Sequence, residues 1–289
     1  MAKPCIAFIG GSGLYEMDAL SDVRHVEVDT PFGPPSDSIT IGSLDGVTVA
    51  FLPRHSRGHR LSPTEIPATA NIYALKTLGV ERIVSISAVG SLRGHIRPLD
   101  MLIPDQIIDR TRNRTSTFFE NGIIAHIAFS DPFCPEISSV LAGAARKQAT
   151  THVGGTCVVI EGPQFSTRAE SELYRSFGAD IIGMTALPEA KLAREAEMCY
   201  ATLALVTDFD TWHQTEDDVS VDLVIANLRR NVASSRLVMH EVASRLPTER
   251  SCTCGQALES AIITDPEYIG NEARERLAAI IGNRIPKAS

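Results

Sequence analysis

Basic charge is scarce in this chain: its 289 residues carry 27 Lys and Arg against 35 Asp and Glu, a net charge of −8. No basic stripe is available to displace counterions from a phosphate backbone, which excludes nucleic-acid binding as its main business. Long apolar runs are also missing, since none approaches the roughly 18–20 residues that a membrane span needs. The N-terminal MAKPCIAFIGG has a single Lys and runs straight into glycines, so it reads as a first strand and not as a signal peptide. The cytoplasm is the expected location. The six cysteines are dispersed, apart from Cys252-Thr253-Cys254, and no pair of CxxC motifs stands among them. That spacing argues against a structural zinc site and for buried thiols. Internal repeats, low-complexity segments and clear linkers are absent as well, so residues 1–289 are expected to form one domain.

What is present is an ordinary globular composition, 44% hydrophobic and 21% charged, long enough to close a full core. Strand-like and helix-like runs alternate. CIAFIG (5–10) is a short apolar run halted by glycines, and residues 38–53 make two strands about an Asp45-Gly46 hairpin signal. Helical spacing with a terminal glycine covers 68–79; RIVSISAVG (82–90) and DMLIPDQII (100–108) are strand-like again. A helix over 136–149, a strand and turn over 156–165 and a helix over 168–178 follow, and then a strand over 180–185, a helix over 188–198 and a strand over 199–206. The tail offers a long helix over about 218–245, a polar loop through Cys254 and a last helix after Asp265-Pro266. This alternation predicts an α/β fold, a mixed and mostly buried β-sheet flanked by helices.

Four strand ends carry residues suited to an anion. IGGSGL (9–14) fails as a dinucleotide fingerprint, because Glu16 stands where the third glycine is needed, and no GK[ST] follows for a phosphate-binding P-loop. A turn remains whose backbone N–H groups and Ser12 hydroxyl can wrap a small anion, or which simply turns the chain. In LPRHSRGHR (52–60), Arg54 offers a planar fork and His55 an imidazole donor; a solvated basic loop is the plain alternative. SISAVGSL (85–92) ends in small residues, with Ser87 and Ala88 able to approach a ligand. Thr185 precedes a helix beginning near Pro188-Glu189, close to helix-terminal N–H groups. Placed together, these four point to one crevice at the carboxyl ends of strands. Beside them, VTDFDTW (206–212) sets Asp208 and Asp210 one residue apart, which turns both carboxylates to one side while strand geometry lasts.

Taken in order, IGGSGLYE, DTPFGPPSD, PRHSRGH, SAVGSLRGHIRPLD, DQIIDRT, DPFCPE, IEGPQFSTRAE, GADIIGMTALPEAKLARE and TDFDTW cover nearly the whole chain. The chain resembles the trimeric purine nucleoside phosphorylase class, and within it the methylthioadenosine phosphorylase family. The resemblance implies that inorganic phosphate attacks the anomeric carbon of a 5′-methylthio nucleoside, releasing adenine and 5-methylthioribose 1-phosphate, as in purine and methionine salvage. Phosphate is then a co-substrate, with no metal or organic cofactor. Carried over residue by residue, the phosphate site falls on Ser12, Arg54, His55, Ser87, Ala88 and Thr185. The sugar and base pocket falls on Phe165, Ser166, Met184, Asp208 and Asp210, although Met184 and Phe165 also suit plain core filling. Asp208 is the acid expected at purine N7, and Asp210 the acceptor for the exocyclic amino group, in place of the amide that 6-oxopurine enzymes carry there.

His126, in IIAHIAF, matches a histidine that the family lends to a neighbouring subunit's nucleoside; a satisfied core histidine on an apolar strand is the alternative. The first reading requires a homo-oligomer, a trimer or a dimer of trimers. Val221, at the start of the long helix, matches the apolar contact of the methylthio group, or is an ordinary core valine. Two departures stand out: Ile66-Pro67-Ala68 where the family often has Val-Asn-Tyr, and a Cys-x-Cys tail like that of thermophilic members, which implies possible Cys134–Cys199 and Cys252–Cys254 disulfides. A broader purine nucleoside phosphorylase, a methylthioinosine phosphorylase and a non-catalytic nucleoside sensor are the competing readings.

Overall fold

Alternate side chains of the central strands enter two different apolar layers, and this dictates the architecture. In a computed structural model, which describes residues 3–11, 20–213, 221–282 and 284, β1 (Ile6–Gly10) sends Ala7 and Ile9 to one layer and Ile6 and Phe8 to the other. β4 (Val47–Pro53) divides in the same way, with Ala50 and Leu52 against Val49 and Phe51. A strand covered on both faces reads as an unbroken apolar run, which is why these segments show no polar alternation. The first layer is closed by α1 (Ala68–Thr77) and α4 (Ala186–Glu195), the second by α2 (Pro135–Ala145) and α5 (Val221–Arg245).

β5 (Arg82–Ser91) is the hub of the sheet. It lies parallel to β1 and, along its whole length, to β11 (Cys199–Asp208). Its last residues pair antiparallel with β10 (Ile181–Gly183). From there the sheet continues through β9 (Thr156–Ile160) to β7 (Gln106–Arg110), and at the opposite edge through β4 and β3 (Ile39–Leu44) to β2 (Ser21–Val26). On the far side of β11 stand β6 (Met101–Ile103) and then β8 (Thr151–Val153). The fold class read from the sequence is therefore the observed one, a large mixed sheet between helices.

The differences are local. The run 100–108 is two strands, because Pro104 has no N–H to give a ladder and ends β6 before β7 begins. β2 and β8 went unread: the first is almost wholly exposed and polar, the second only three residues long. The last helix is a 3₁₀ turn at Pro266–Tyr268 followed by α6 (Asn271–Arg276) and α7 (Ala278–Ile281). The long helix is described from Val221 onward, so the expected start at 218 lies outside the described residues. His126 does not sit on a strand. Its segment is extended with a single bridge, Ala125 to Ile262, and its residues alternate: Ile123, Ala125, Ile127 and Phe129 pack inward while His126 faces solvent. The core-histidine alternative is thereby overturned. Among the described residues no helix is long and apolar enough to cross a membrane.

Candidate active site

Ser85 to Gly90 of β5 gather Arg54, Ser87, Ala88, Thr185, Asp208 and Asp210 of the side chains expected in the site. Arg54 follows β4 directly, and its backbone N–H bonds to Gly10 O at the end of β1 at 2.9 Å. Its guanidinium turns inward, donating from Nη2 to Ser85 Oγ at 2.6 Å and from Nη1 to Ile86 O at 3.2 Å. The planar fork that the sequence suggests for an anion is closed instead on Glu189, with Nε to Oε1 at 2.5 Å and Nη2 to Oε2 at 3.2 Å. Of five guanidinium hydrogens, one on Nη1 is left without a partner among the described residues. Glu189 also accepts from Tyr200 Oη at 2.9 Å. Both members of the ion pair are 2% exposed, so the network is dry.

His55 is the second surprise. Its Nδ1 lies 2.8 Å from Leu61 O; a carbonyl only accepts, so the neutral ring carries its proton on Nδ1 and leaves Nε2 a bare acceptor. The sequence had suggested a donor. Burial, reinforced by the Arg54 charge, depresses the imidazole pKa to about 4, and the ring stacks on His59 with centroids 4.3 Å apart. A histidine depressed in the folded state contributes stability at neutral pH that fades as pH falls, because below about 6.5 the unfolded ring takes a proton that the folded ring refuses until about 4. Phosphate-free protein is accordingly expected to lose about 1.5 kcal/mol through this residue between pH 6.5 and pH 5. Urea unfolding of wild type and His55→Asn at the two pH values reads the effect; parallel losses in both would refute it.

Ser87 Oγ and Thr185 Oγ1 stand 3.0 Å apart. They meet because β10 runs antiparallel to β5: Ile181 faces Ser91, Ile182 faces Gly90, and the chain continues back toward Ser87. Thr185 therefore arrives from the opposite direction to the other strand ends. It occupies the N-cap position of α4, yet its hydroxyl caps no helix N–H and stays with Ser87. Ala88 is half-buried on the same strand. Gly10 ends β1 beside Arg54 and Gly11 follows it; Ser12 lies outside the described residues.

At the far end of the stretch, Asp208 pairs with Gly90 across the β11–β5 ladder, just past an irregularity after Val206. Asp208 Oδ2 accepts from Thr207 Oγ1 at 2.7 Å. Asp210 lies beyond the strand, but both acids crowd the same glycine: a Cβ on Gly90 would stand 2.9 Å from Asp208 Oδ1 and 3.4 Å from Asp210 Cβ. Asp210 is buried, and its Oδ2 has no hydrogen-bond partner among the described residues. Burial raises its pKa above the ordinary carboxylate value, against smaller pulls from Ser171 and the Thr211 N–H. A buried, unsatisfied acceptor beside a second carboxylate is suited to a donor supplied by a ligand.

The surrounding loops are tied to one another. Thr211 Oγ1 donates to Ser166 O at 3.3 Å, which holds the Phe165–Ser166 loop against the turn after Asp210. Ser166 Oγ is buried without a partner among the described residues, and Phe165 is 39% exposed, which is not core filling. Trp212 Nε1 donates to Ser91 O at 2.8 Å under the Arg175 guanidinium, 3.7 Å from the ring centre. Met184 packs on Gly162, where an added Cβ would meet its sulfur at 2.5 Å. Val221 is the first residue of α5. Deeper in that helix, Asn227 and Asn231 donate to Thr207 O and Val206 O at 2.7 and 3.2 Å, fixing the approach to Asp208. Sequence reasoning missed Glu189, Tyr200, Arg114 and these two asparagines; a glutamate in the first turn of a helix looks like ordinary dipole compensation.

The match to the phosphorylase superfamily runs over residues 5–244. The S-methyl-5′-thioadenosine phosphorylase of Geobacter sulfurreducens is 57% identical over 282 residues, covering 97% of this chain and 99% of the relative. The crystal structure of a methylthioadenosine phosphorylase from an antarctic soil metagenomic library superposes with a TM-score of 0.91 at 53% identity, covering 97% of this chain and 99% of that one. The methylthioadenosine phosphorylase of Schistosoma mansoni in complex with adenine gives a TM-score of 0.84 at 35% identity, covering 89% and 97%. The chain belongs to the phosphorylase superfamily and, within it, to the S-methyl-5′-thioadenosine phosphorylase family.

Proposed function

We propose that the protein cleaves S-methyl-5′-thioadenosine with inorganic phosphate to adenine and 5-methylthioribose 1-phosphate. The observation that carries this reading is the single stretch of β5 with hydroxyls and the Arg54 guanidinium at one end and two acidic side chains at the other. Ser87, which meets Thr185, and Gly90, which meets both aspartates, are three residues apart, about 10 Å of strand. That gap suits a sugar between an oxyanion and a purine.

The chemistry divides accordingly. Phosphate sits against Ser87, Thr185, Ala88, the Gly10–Gly11 turn and Ser12, in the field of Arg54. His55 Nε2, being an acceptor, takes the O–H that hydrogen phosphate carries. A phosphate oxygen forms the new bond to C1′ as the bond from C1′ to N9 breaks and its electrons pass into the purine; Asp208 gives its proton to N7. The positive charge that grows on the sugar ring is offset by the bound anion. Met184, Phe165 and Ser166 bound the sugar and base, with Val221 toward the methylthio group. His126, exposed on its own subunit, fits the role of a residue lent to a neighbour in a trimer or dimer of trimers. The enzyme needs no cofactor in this scheme, and its place is the cytoplasm.

The direct test is release of adenine from methylthioadenosine in the presence and absence of phosphate, across a panel that includes inosine and methylthioinosine. Adenine release that ignores phosphate would sink the reading. Asp210 accepts from the exocyclic amino group and would leave a buried carboxylate facing the carbonyl of a 6-oxopurine. Asp210→Asn is expected to raise the inosine-to-adenosine ratio of kcat/KM by roughly 10–100-fold; an unchanged ratio would remove the assignment.

A further inference from the structure

The strongest unassigned feature lies away from the crevice, in the four cysteines that the spacing argument dismissed. Cys134 occupies the N-cap position of α2, Cys199 is the first residue of β11, and a further 3₁₀ turn, Thr253–Gln256, has Cys252 as its N-cap and contains Cys254. The fold draws all four together, with every Sγ within 4.8 Å of every other. The Cys199 and Cys252 sulfurs are 3.3 Å apart. Four thiolates about one tetrahedral zinc, at roughly 2.3 Å each, stand roughly 3.8 Å from one another. Two disulfides would instead bring the sulfurs together in two pairs at about 2 Å. Mutual proximity of all four is the pattern of one shared centre. The absence of CxxC pairs carries no weight here, because three separate elements supply the ligands.

A cation stands beside the cluster. The Arg250 guanidinium donates to Glu197 O at 2.9 Å, two residues before Cys199, close enough to Cys199 and Cys252 for its charge to act on both. Such a neighbouring cation offsets part of the net negative charge of a four-thiolate centre. Three of the four residues are buried and Cys252 is half-buried, which leaves one side for entry. From the geometry we infer that Cys134, Cys199, Cys252 and Cys254 bind one thiophilic divalent cation of the zinc class. Each thiol releases its proton as it ligates, with no change of oxidation state. The bound cation staples the tail to α2 and β11. The tail then passes Leu258, whose N–H bonds to Glu197, and reaches Ala261 and Ile262, which hold the His126 segment.

The experiment uses untagged protein expressed in zinc-supplemented medium and dialysed extensively. Elemental analysis is expected to find about one zinc per chain, released when a mercurial reagent titrates the thiols. Exchange with cobalt is expected to give a thiolate-to-cobalt charge-transfer band and the intense visible bands of a tetrahedral centre. Metal-free protein, with no cobalt spectrum on reconstitution, would overturn the inference. So would peptide mapping of freshly prepared protein that finds the four cysteines paired as two disulfides. The double variant Cys252→Ser/Cys254→Ser is expected to lose the zinc, and retention of a full equivalent would place the metal elsewhere. Should that variant fail to fold, the wild-type metal and cobalt measurements decide alone.

Discussion

Asp208→Asn is expected to lower kcat by about 10²–10⁴-fold, the usual contribution of a positioned general acid, while KM for the nucleoside moves little. Asparagine keeps the shape and still accepts from Thr207, which donates to Asp208 Oδ2 at 2.7 Å, but it has no proton for N7. A purine must then depart as an anion. Steady-state kinetics on methylthioadenosine at saturating phosphate reads the result, and a fall in kcat of less than tenfold would count against the acid role. The companion Gly90→Ala keeps the acid and shifts it, since the new methyl would sit 2.9 Å from Oδ1. It should also reduce kcat, at a stability cost of about 1–3 kcal/mol, because the same methyl meets Ile182 Cγ2 at 3.0 Å in a buried strand. A substrate with a better leaving group should rescue Asp208→Asn much more than Gly90→Ala, which separates a lost proton from a lost position.

Glu189→Ala is expected to have the second largest effect, and on stability as much as on catalysis. Removing one member of a buried ion pair leaves the other charge unpaired in a dry interior, at a cost of roughly 3–5 kcal/mol. Here the survivor is Arg54, which would lose two hydrogen bonds, while Tyr200 would lose its acceptor. Calorimetry should show a fall in Tm of about 1.5–2 °C per kcal/mol for a chain of this size. The freed guanidinium fork should also change the KM for phosphate more than that for the nucleoside. A Tm within a degree of wild type would show that the pair is solvated in solution.

Much of this was legible because the fold is built from strands buried on both faces. Runs such as CIAFIG and CYATLALV show hydrophobicity without alternation, and helices ending at glycine or opening on a capping residue punctuate them. Thr167 illustrates it: the side chain of Glu170 returns to its N–H at 2.8 Å while Thr167 Oγ1 accepts from Glu170 N at 3.2 Å. The residue types that gather along β5 were also legible, because anion and purine chemistry restricts the candidates to few kinds. What hid was everything fixed by distant contacts. Nothing local says that Glu189 reaches 135 residues back to Arg54, or that His55 spends its hydrogen on Leu61. Weak elements failed for another reason: β2 is exposed and irregular, so no core pattern marks it. The gathering of the four cysteines was hidden for the first reason, because elements far apart in sequence bring them together.

Arg114 carries a last consequence. It is 3% exposed, and its two terminal nitrogens bond to the carbonyls of Met184 and Leu187 on one side and of Ile160 and Glu161 on the other. The Met184 segment, which the proposed function sets beneath the ribose, and the segment leading to Phe165 are thereby pinned to a single cation. In that reading a bulkier 5′ substituent cannot be accommodated by one wall yielding alone, and tolerance for unnatural nucleosides becomes a property of that one pin.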